Sequence, residues 1–128
     1  MTETTSASTA VVLVPVTADG MVGPRFGRAP RVAVARVNDG ALVSWEEEAV
    51  GWDTAHDLGT EGAHHARIVR FLRDHEVDTI VATHMGVGMQ RVVSRMGIRL
   101  LGTAGGDART AVLTALATAA AEGTDRRR

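Results

Sequence analysis

The chain has 128 residues, of which 45% are hydrophobic, and its formal net charge at pH 7 is −1. This length is sufficient for one domain with one core. The nearly neutral charge argues against nucleic-acid binding, because a basic face is needed to displace counterions from phosphates. The chain has no cysteine, which excludes disulfides, thiolate nucleophiles and cysteine-held zinc or iron–sulfur sites.

The two ends of the chain are expected to be flexible tails around a single domain at residues 10–121. Residues 1–9 are rich in Ser and Thr, and residues 122–128 end in three arginines. The first segment lacks the charged and apolar regions of a signal peptide, and no apolar run has the length of a membrane span. We therefore expect a cytoplasmic protein without membrane association, and its oligomeric state stays open.

Five segments have the length and residue types of β-strands: Ala10–Val16, Arg31–Val37, Ala41–Glu48, Asp78–Ala82 and Ile98–Leu101. The first segment is continuously apolar, as expected for a strand that is covered on both faces. Asn38-Asp39-Gly40 predicts a tight hairpin turn between the second and third strands. Alternation within the third strand predicts that Val43 and Trp45 share one face.

Three segments predict helices. Glu61–His75 carries an apolar stripe at helical spacing, Val87–Arg95 is closed by a glycine, and Asp107 is a suitable N-cap for an Ala-rich helix that ends near Ala121. A hairpin followed by three strand–helix units predicts an α/β fold with a mixed five-stranded sheet. Right-handed crossovers give the strand order 3-2-1-4-5, with the second strand antiparallel.

This topology brings several loops to the sheet edge where the strand order reverses, and ligands favour such a position. The segments that converge there are the loop Thr17–Pro30, the helix start Glu61–His65 and the stretch Thr83–Met89. Gly86 and Gly88 mark the start of a helix, whose free N–H groups would bind an anion. Arg25 and Arg28 lie in a loop rich in Gly and Pro and would hold that anion by charge. Taken singly, these features would also fit a tight turn and solvated surface charges.

Imidazole and thioether groups fall in the same three segments: His64, His65, His84, Met21, Met85 and Met89. Together they suit copper(I) or a sulfur-rich cluster better than magnesium or calcium. His84 is the first candidate ligand and His64 the second, and His84 and Met85 are expected to face one cavity. Alternatively, His65 lies at the edge of the core and Met85 packs beneath the next helix. The remaining histidines, His56 and His75, are expected to face solvent.

The chain resembles the dinitrogenase iron–molybdenum cofactor biosynthesis family over roughly Val11–Ala119. The resemblance rests on the Val-Pro-Val strand end, on Phe26-Gly27-Arg28-Ala29-Pro30 and on Val81–Gly86. It implies a three-layer ribonuclease H-like fold and carriage or storage of an iron–molybdenum cofactor precursor or, as in one branch, a molybdenum–copper–sulfide cluster. It also places Phe26 and Gly27 among the expected cofactor-binding residues.

Two positions differ from the usual pattern of the family. Arg25 stands where a histidine usually precedes Phe-Gly-Arg, and Gly86-Val87-Gly88 replaces a Gly-Pro-Asn-like continuation. These two differences favour binding of a cluster by the positive charges of Arg25 and Arg28 over its attachment through histidine.

The predicted function is therefore non-catalytic carriage of an anionic metal–sulfur cofactor, with a cofactor-assembly protein as a candidate partner. A nuclease does not fit this sequence, because its two metals need an aspartate inside the first strand, and Val11–Val16 has none. One alternative is a regulatory module that binds a nucleotide or another small anion at the same edge. Another is a partner-binding domain, for which Trp45 and Trp52 are the only indication.

Overall fold

A computed structural model of the chain describes residues 9–126. In this range the chain forms five strands, β1 to β5, with bounds Thr9–Pro15, Arg31–Asn38, Ala41–Ala49, Thr79–Ala82 and Arg99–Gly102. It also forms four α-helices, α1 to α4, with bounds Trp52–Ala55, Glu61–Asp74, Val87–Arg95 and Ala108–Arg126. A short 3₁₀ turn, Phe26–Arg28, lies in the long loop between β1 and β2.

The five strands form one sheet in the order β3-β2-β1-β4-β5. β2 is antiparallel to β1 and to β3, whereas β4 is parallel to β1 and to β5. The predicted α/β class, strand order and strand directions are therefore confirmed. Because β1, β3, β4 and β5 run in one direction, the loops that follow them leave the same edge of the sheet.

The hairpin between β2 and β3 has the predicted turn. Asp39 and Gly40 both have positive φ angles, 51° and 82°, as a two-residue primed turn requires. Further along, the pairing shifts from Arg36 opposite Ser44 to Val37 opposite Leu42, so β3 carries one additional residue. Leu42 and Trp45 both pack against the core on one face, whereas Val43, the additional residue, is 63% exposed and outside that core. The prediction that Val43 shares the face of Trp45 is therefore wrong.

Helices cover both faces of the sheet. On one face, Leu13 and Ile80 of the sheet belong to a core cluster that includes Ile68 of α2 and Val93 of α3. On the other face, Val12, Val14 and Val81 of the sheet pack with Val112 of α4. Consecutive residues of β1 thus point into different cores, which explains why this strand is apolar throughout.

The prediction of three helices is wrong, because residues predicted as a connection contain α1. This single turn starts after Gly51, whose φ of 64° reverses the chain after β3. Trp52 is 2% exposed, and its ring lies 5.5 Å from that of Phe26 and 5.7 Å from that of Phe71. Trp52 is thus a core residue, and it no longer supports a partner-binding surface.

The ends of the domain also differ from the prediction. β1 begins at Thr9, and residues 1–8 of the expected N-terminal tail lie outside the described residues. At the other end, α4 continues to Arg126 instead of ending near Ala121, and residues 127–128 are again outside. Within residues 9–126, no helix has the length and apolar character needed to cross a membrane.

Candidate functional site

The 3₁₀ turn Phe26–Arg28 is fixed to the sheet edge through its first residue. The side chain of Phe26 is fully buried in the core beneath α1 to α3. Its backbone N–H donates a hydrogen bond of 3.1 Å to the carbonyl oxygen of His84, in the loop between β4 and α3. The predicted cofactor-binding residue Phe26 is therefore an anchor that joins two loops, and its ring does not reach the surface.

The two arginines around this turn are exposed to solvent. Arg25 lies immediately before the turn and Arg28 is its last residue. One guanidinium nitrogen of Arg28 lies 3.7 Å from a carboxylate oxygen of Asp57. This is an exposed ion pair, and such pairs contribute little. Both guanidinium groups can therefore engage a ligand.

A pocket of about 410 Å³ lies next to the turn, lined by Pro24, Arg25, Gly27, Arg28, His56, His84 and Gly86. Its ionisable lining groups are two guanidiniums and two imidazoles. None of the described residues contributes a carboxylate to this lining. Asp57 lies at its border, 3.7 Å from Arg28 and 3.5 Å from Nδ1 of His56. We call it the cationic pocket, because its two guanidiniums exceed this single carboxylate and suit an anionic ligand.

Helix α3 begins at this pocket without a capping side chain. Its N-cap residue is Gly86, which has extended backbone angles and makes no side-chain hydrogen bond to the helix. By contrast, Thr60 caps α2 by accepting from the N–H of Ala63, and Asp107 caps α4 by accepting from that of Thr110. Uncapped N–H groups and the positive end of the helix dipole add to the attraction for an anion.

A second pocket, of about 290 Å³, adjoins the first and shares Gly27, His56 and Gly86 with it. Its other lining residues come from the starts of α2 and α3: Glu61, His64, His65, Ile68, Val87, Gly88 and Met89. The carboxylate of Glu61 makes this pocket less suitable for an anion than the cationic pocket.

Gly88 allows the first turns of α2 and α3 to approach each other beside the second pocket. A Cβ atom at this position would lie 3.1 Å from Cε1 of His65 and 3.5 Å from Oε2 of Glu61. The glycine therefore has a packing role, in addition to any role in admitting a ligand.

His64 is 3% exposed, and both of its ring nitrogens have partners. Nε2 lies 2.8 Å from the carbonyl oxygen of Gly27 in the 3₁₀ turn. Nδ1 lies 3.1 Å from a guanidinium nitrogen of Arg67, one helical turn further along α2. A metal could bind this imidazole only if one of these contacts were broken.

The structure brings some of the predicted ligand residues to the pockets. His84 is exposed and lines the cationic pocket together with Arg25 and Arg28. His65 is partly buried in the second pocket, with Nε2 at 3.8 Å from Oε2 of Glu61. Met89 is 4% exposed and forms part of the wall of the same pocket. Whether any of them binds a ligand stays a prediction.

Two predicted residues lie elsewhere. Met85 is 6% exposed and belongs to the core cluster of Phe26 and Trp52, so it does not share the cationic pocket with His84. The chain turns at this point, and Gln90 holds the carbonyl of Met85 with a hydrogen bond of 2.8 Å. Met21 forms an isolated bridge with Asp107 near the start of α4 and lines neither pocket.

One residue at the pockets was missed. His56 was expected merely to face solvent, and it is exposed, yet it lines both pockets. Its ring packs edge-on against that of His64, with 5.0 Å between centroids. Among the described residues, no three His, Cys, Asp or Glu side chains are grouped so that they could hold a metal ion.

Fold and site together define an α/β protein with a cationic pocket at the carboxyl end of a mixed sheet. The sequence model of the dinitrogenase iron-molybdenum cofactor family matches residues 9–118, and the chain belongs to this family. No curated protein matches the chain in sequence.

Several solved structures resemble this one. The apo form of the orange protein from Desulfovibrio gigas has a TM-score of 0.62 at 20% identity, covering 80% of this chain and 83% of that chain. A Thermotoga protein provisionally named NifB has a TM-score of 0.60 at 24% identity, covering 80% and 84%. A Methanocaldococcus jannaschii protein provisionally described as a dinitrogenase has a TM-score of 0.58 at 14% identity, covering 80% and 84%. At these identities the similarity shows the fold.

Proposed function

We propose that this chain binds and carries an anionic metal–sulfur cluster as cargo, of the iron–molybdenum or molybdenum–copper type, and that it is a carrier without catalytic activity. The observation that supports this most directly is the lining of the cationic pocket. Arg25 and Arg28 meet two imidazoles there, beside the uncapped start of α3. Membership of the iron-molybdenum cofactor family supports this class of cargo.

The donor groups favour retention by charge over attachment through protein ligands. The chain has no cysteine, and its described residues offer no group of three metal-binding side chains. A cluster bound here would arrive with its metals already surrounded by sulfide. Guanidiniums suit such a ligand, because their rigid donors bind anions by charge and geometry together.

His84 is one of the two imidazoles of this pocket and could add a donor to the metals of the cargo. It is exposed next to the two arginines, and imidazole binds copper well. Carriage also implies a cofactor-assembly protein that delivers or receives the cargo, and a cytoplasmic location. The ribonuclease H-like fold is part of the same proposal and is supported by the strand order.

Binding of tetrathiomolybdate, with and without copper(I), tests the proposal against its main rival, a module that binds nucleotides. Dissociation constants would be measured by visible absorbance and calorimetry, with a panel of nucleotides and inorganic phosphate in parallel. We expect thiomolybdate to bind more tightly than any nucleotide. Its affinity should fall as salt rises, because exposed charges are screened over about 10 Å at 0.1 M. Tighter binding of a nucleotide would favour the regulatory module.

The double variant Arg25→Ala/Arg28→Ala tests the pocket itself. Hydrogen bonds to charged groups contribute about 1.5–3 kcal/mol each, so affinity should fall by about 30-fold or more. The matched control is Arg70→Ala/Arg91→Ala, which removes the same charge from exposed positions in α2 and α3. The control should change affinity by no more than about threefold. Equal affinities of the two double variants would contradict binding of the cluster by the charges of Arg25 and Arg28.

A further inference from the structure

His64 makes a contact between two segments that lie far apart in the sequence. It belongs to α2, and its Nε2 atom lies 2.8 Å from the carbonyl oxygen of Gly27, 37 residues earlier in the chain. The imidazole is 3% exposed, so water cannot replace this contact without a rearrangement. The side chain therefore connects the start of α2 to the turn between Arg25 and Arg28.

The two partners of His64 determine where its proton lies. A guanidinium group can only donate, so Nδ1, which lies 3.1 Å from the Arg67 nitrogen, must be the acceptor. A carbonyl oxygen can only accept, so Nε2 must carry the hydrogen that Gly27 receives. The two contacts together require one form of the ring, which is neutral and protonated at Nε2. In this form His64 has no free lone pair for a metal.

We propose that His64 is a positioning residue: its Nε2–H bond to Gly27 holds the Phe26–Arg28 turn against α2 and so keeps Arg25 and Arg28 at the cationic pocket. The role at the pocket rests on the proposed function. Arg67 acts one step further away, because its donation to Nδ1 selects the Nε2-protonated form.

The turn has few other constraints near Gly27. A Cβ atom at Gly27 would meet nothing within 4 Å, so the glycine itself makes no side-chain packing contact at this point. The flanks of the turn are held by other contacts. Phe26 is fixed through its buried ring and its N–H bond to His84. The carbonyl of Pro24 accepts from the hydroxyl of Thr83, and the carbonyl of Ala29 accepts from the N–H of Trp52. At Gly27 itself the contact is the bond from His64. The bond from His64 also occupies the carbonyl oxygen of Gly27, a residue that lines both pockets.

Two substitutions separate the two ring contacts. In His64→Gln the terminal amide can reach the position of Nε2 and donate to Gly27. In His64→Asn the shorter amide reaches only the position of Nδ1, near Arg67. The proposal predicts that Gln preserves the position of the turn and that Asn does not, although both variants lose the imidazole and are similarly polar.

Amide hydrogen exchange in the ligand-free protein provides a measurement that does not depend on any cargo. The amide of Phe26 should exchange about tenfold faster in His64→Asn, and within about twofold of the wild-type rate in His64→Gln. The amide of Asp78, bonded to Val11 at the opposite edge of the sheet, should be unchanged in both. Equal exchange of the Phe26 amide in the two variants would overturn the proposal.

Arg67→Met provides a second test, at an exposed position. Nitrogen NMR shifts of the His64 ring should show the Nε2-protonated form in the wild type at neutral pH, and a gain of the Nδ1-protonated form in the variant. A wild-type ring protonated at Nδ1, or at both nitrogens, would overturn the assignment.

The thiomolybdate measurement then connects this role to binding. Affinity should fall about tenfold in His64→Asn and about twofold or less in His64→Gln. If the wild type does not bind thiomolybdate, the proposed function fails, while the exchange and NMR results still decide the role of His64. If the wild type binds and both variants bind equally, positioning by His64 is wrong and the proposed function stands.

Discussion

Two loops that leave the same edge of the sheet lead into helices. One of them provides a side chain that caps the helix N-terminus, and the other does not. Between β5 and α4, Oδ2 of Asp107 accepts a hydrogen bond of 2.9 Å from the N–H of Thr110. The carboxylate of the chain itself thus occupies the positive end of the helix dipole. Between β4 and α3, Gly86 provides no such group.

The charged side chains around the two loops also differ. The loop after β4 borders the cationic pocket, to which Arg25 and Arg28 contribute. The loop after β5 borders a groove of about 560 Å³, whose charged lining residues are Asp107 and Glu122. A helix N-terminus is therefore a candidate anion site here only where the cap is absent and cations are adjacent. The described residues that line the larger of the two cavities include two carboxylates and no cationic side chain.

The largest expected effect comes from giving α3 the cap of α4. In Gly86→Asp the new side chain fits, since φ is −63° and a Cβ atom would meet nothing within 4 Å. Stability should be unchanged or rise by a few tenths of a kcal/mol, because Asp is preferred over Gly at an N-cap. Thiomolybdate affinity should fall by about 30-fold or more, since a like charge about 4 Å away costs several kcal/mol near a protein surface.

Gly86→Ser is the control for this change, because serine caps the helix without adding charge. It should reduce affinity by about threefold, which corresponds to the loss of one N–H group to the new cap. Calorimetric titration of both variants would separate capping from charge. If Gly86→Asp binds thiomolybdate as tightly as the wild type, the start of α3 is not part of the anion-binding site.

A smaller effect is expected from His84 and Met85, which are adjacent in sequence but lie in different surroundings. His84→Ala should lower thiomolybdate affinity by about fivefold with little change in unfolding temperature, because the side chain is exposed at the pocket. Met85→Leu should leave affinity unchanged and cost less than about 1.5 kcal/mol of stability, as expected for a volume-conserving core change. Loss of affinity in Met85→Leu alone would contradict the core position of Met85.

The strand order could be predicted because two local rules determine it. The Asp39-Gly40 turn makes β2 antiparallel to β3, and right-handed crossovers place β4 and β5 beyond β1. The bulge at Val43 could not be predicted, because alternation gives the face of a residue only while the pairing register is maintained. The helix α1 was missed because four residues carry no helical periodicity.

The sequence predicted which loops form the candidate site more reliably than it predicted which side chains line that site. Topology decides which strand ends share an edge, and this brought Arg25, Arg28 and His84 together. Outside regular structure no period gives the direction of a side chain, so the core position of Met85 was open. His56 gave no signal of its own, because it follows α1, the helix that the sequence did not reveal.

The smallest expected effect concerns the capped helix. Hydrogen bonds from Thr110 lower the pKa of the Asp107 carboxyl below its ordinary value. The ionised cap therefore stabilises the fold above the ordinary titration range of Asp, near pH 4, and this contribution is lost as pH falls through the lower folded-state pKa.

The variant Asp107→Asn tests this role, because it keeps a capping oxygen but removes the titration. The unfolding temperature of the wild type should exceed that of the variant at neutral pH, and the difference should shrink below about pH 4. Thiomolybdate affinity should not change at neutral pH, because Asp107 lines the groove beside α4 and not the cationic pocket. A difference in unfolding temperature that stays constant down to low pH would contradict the role of the ionised cap.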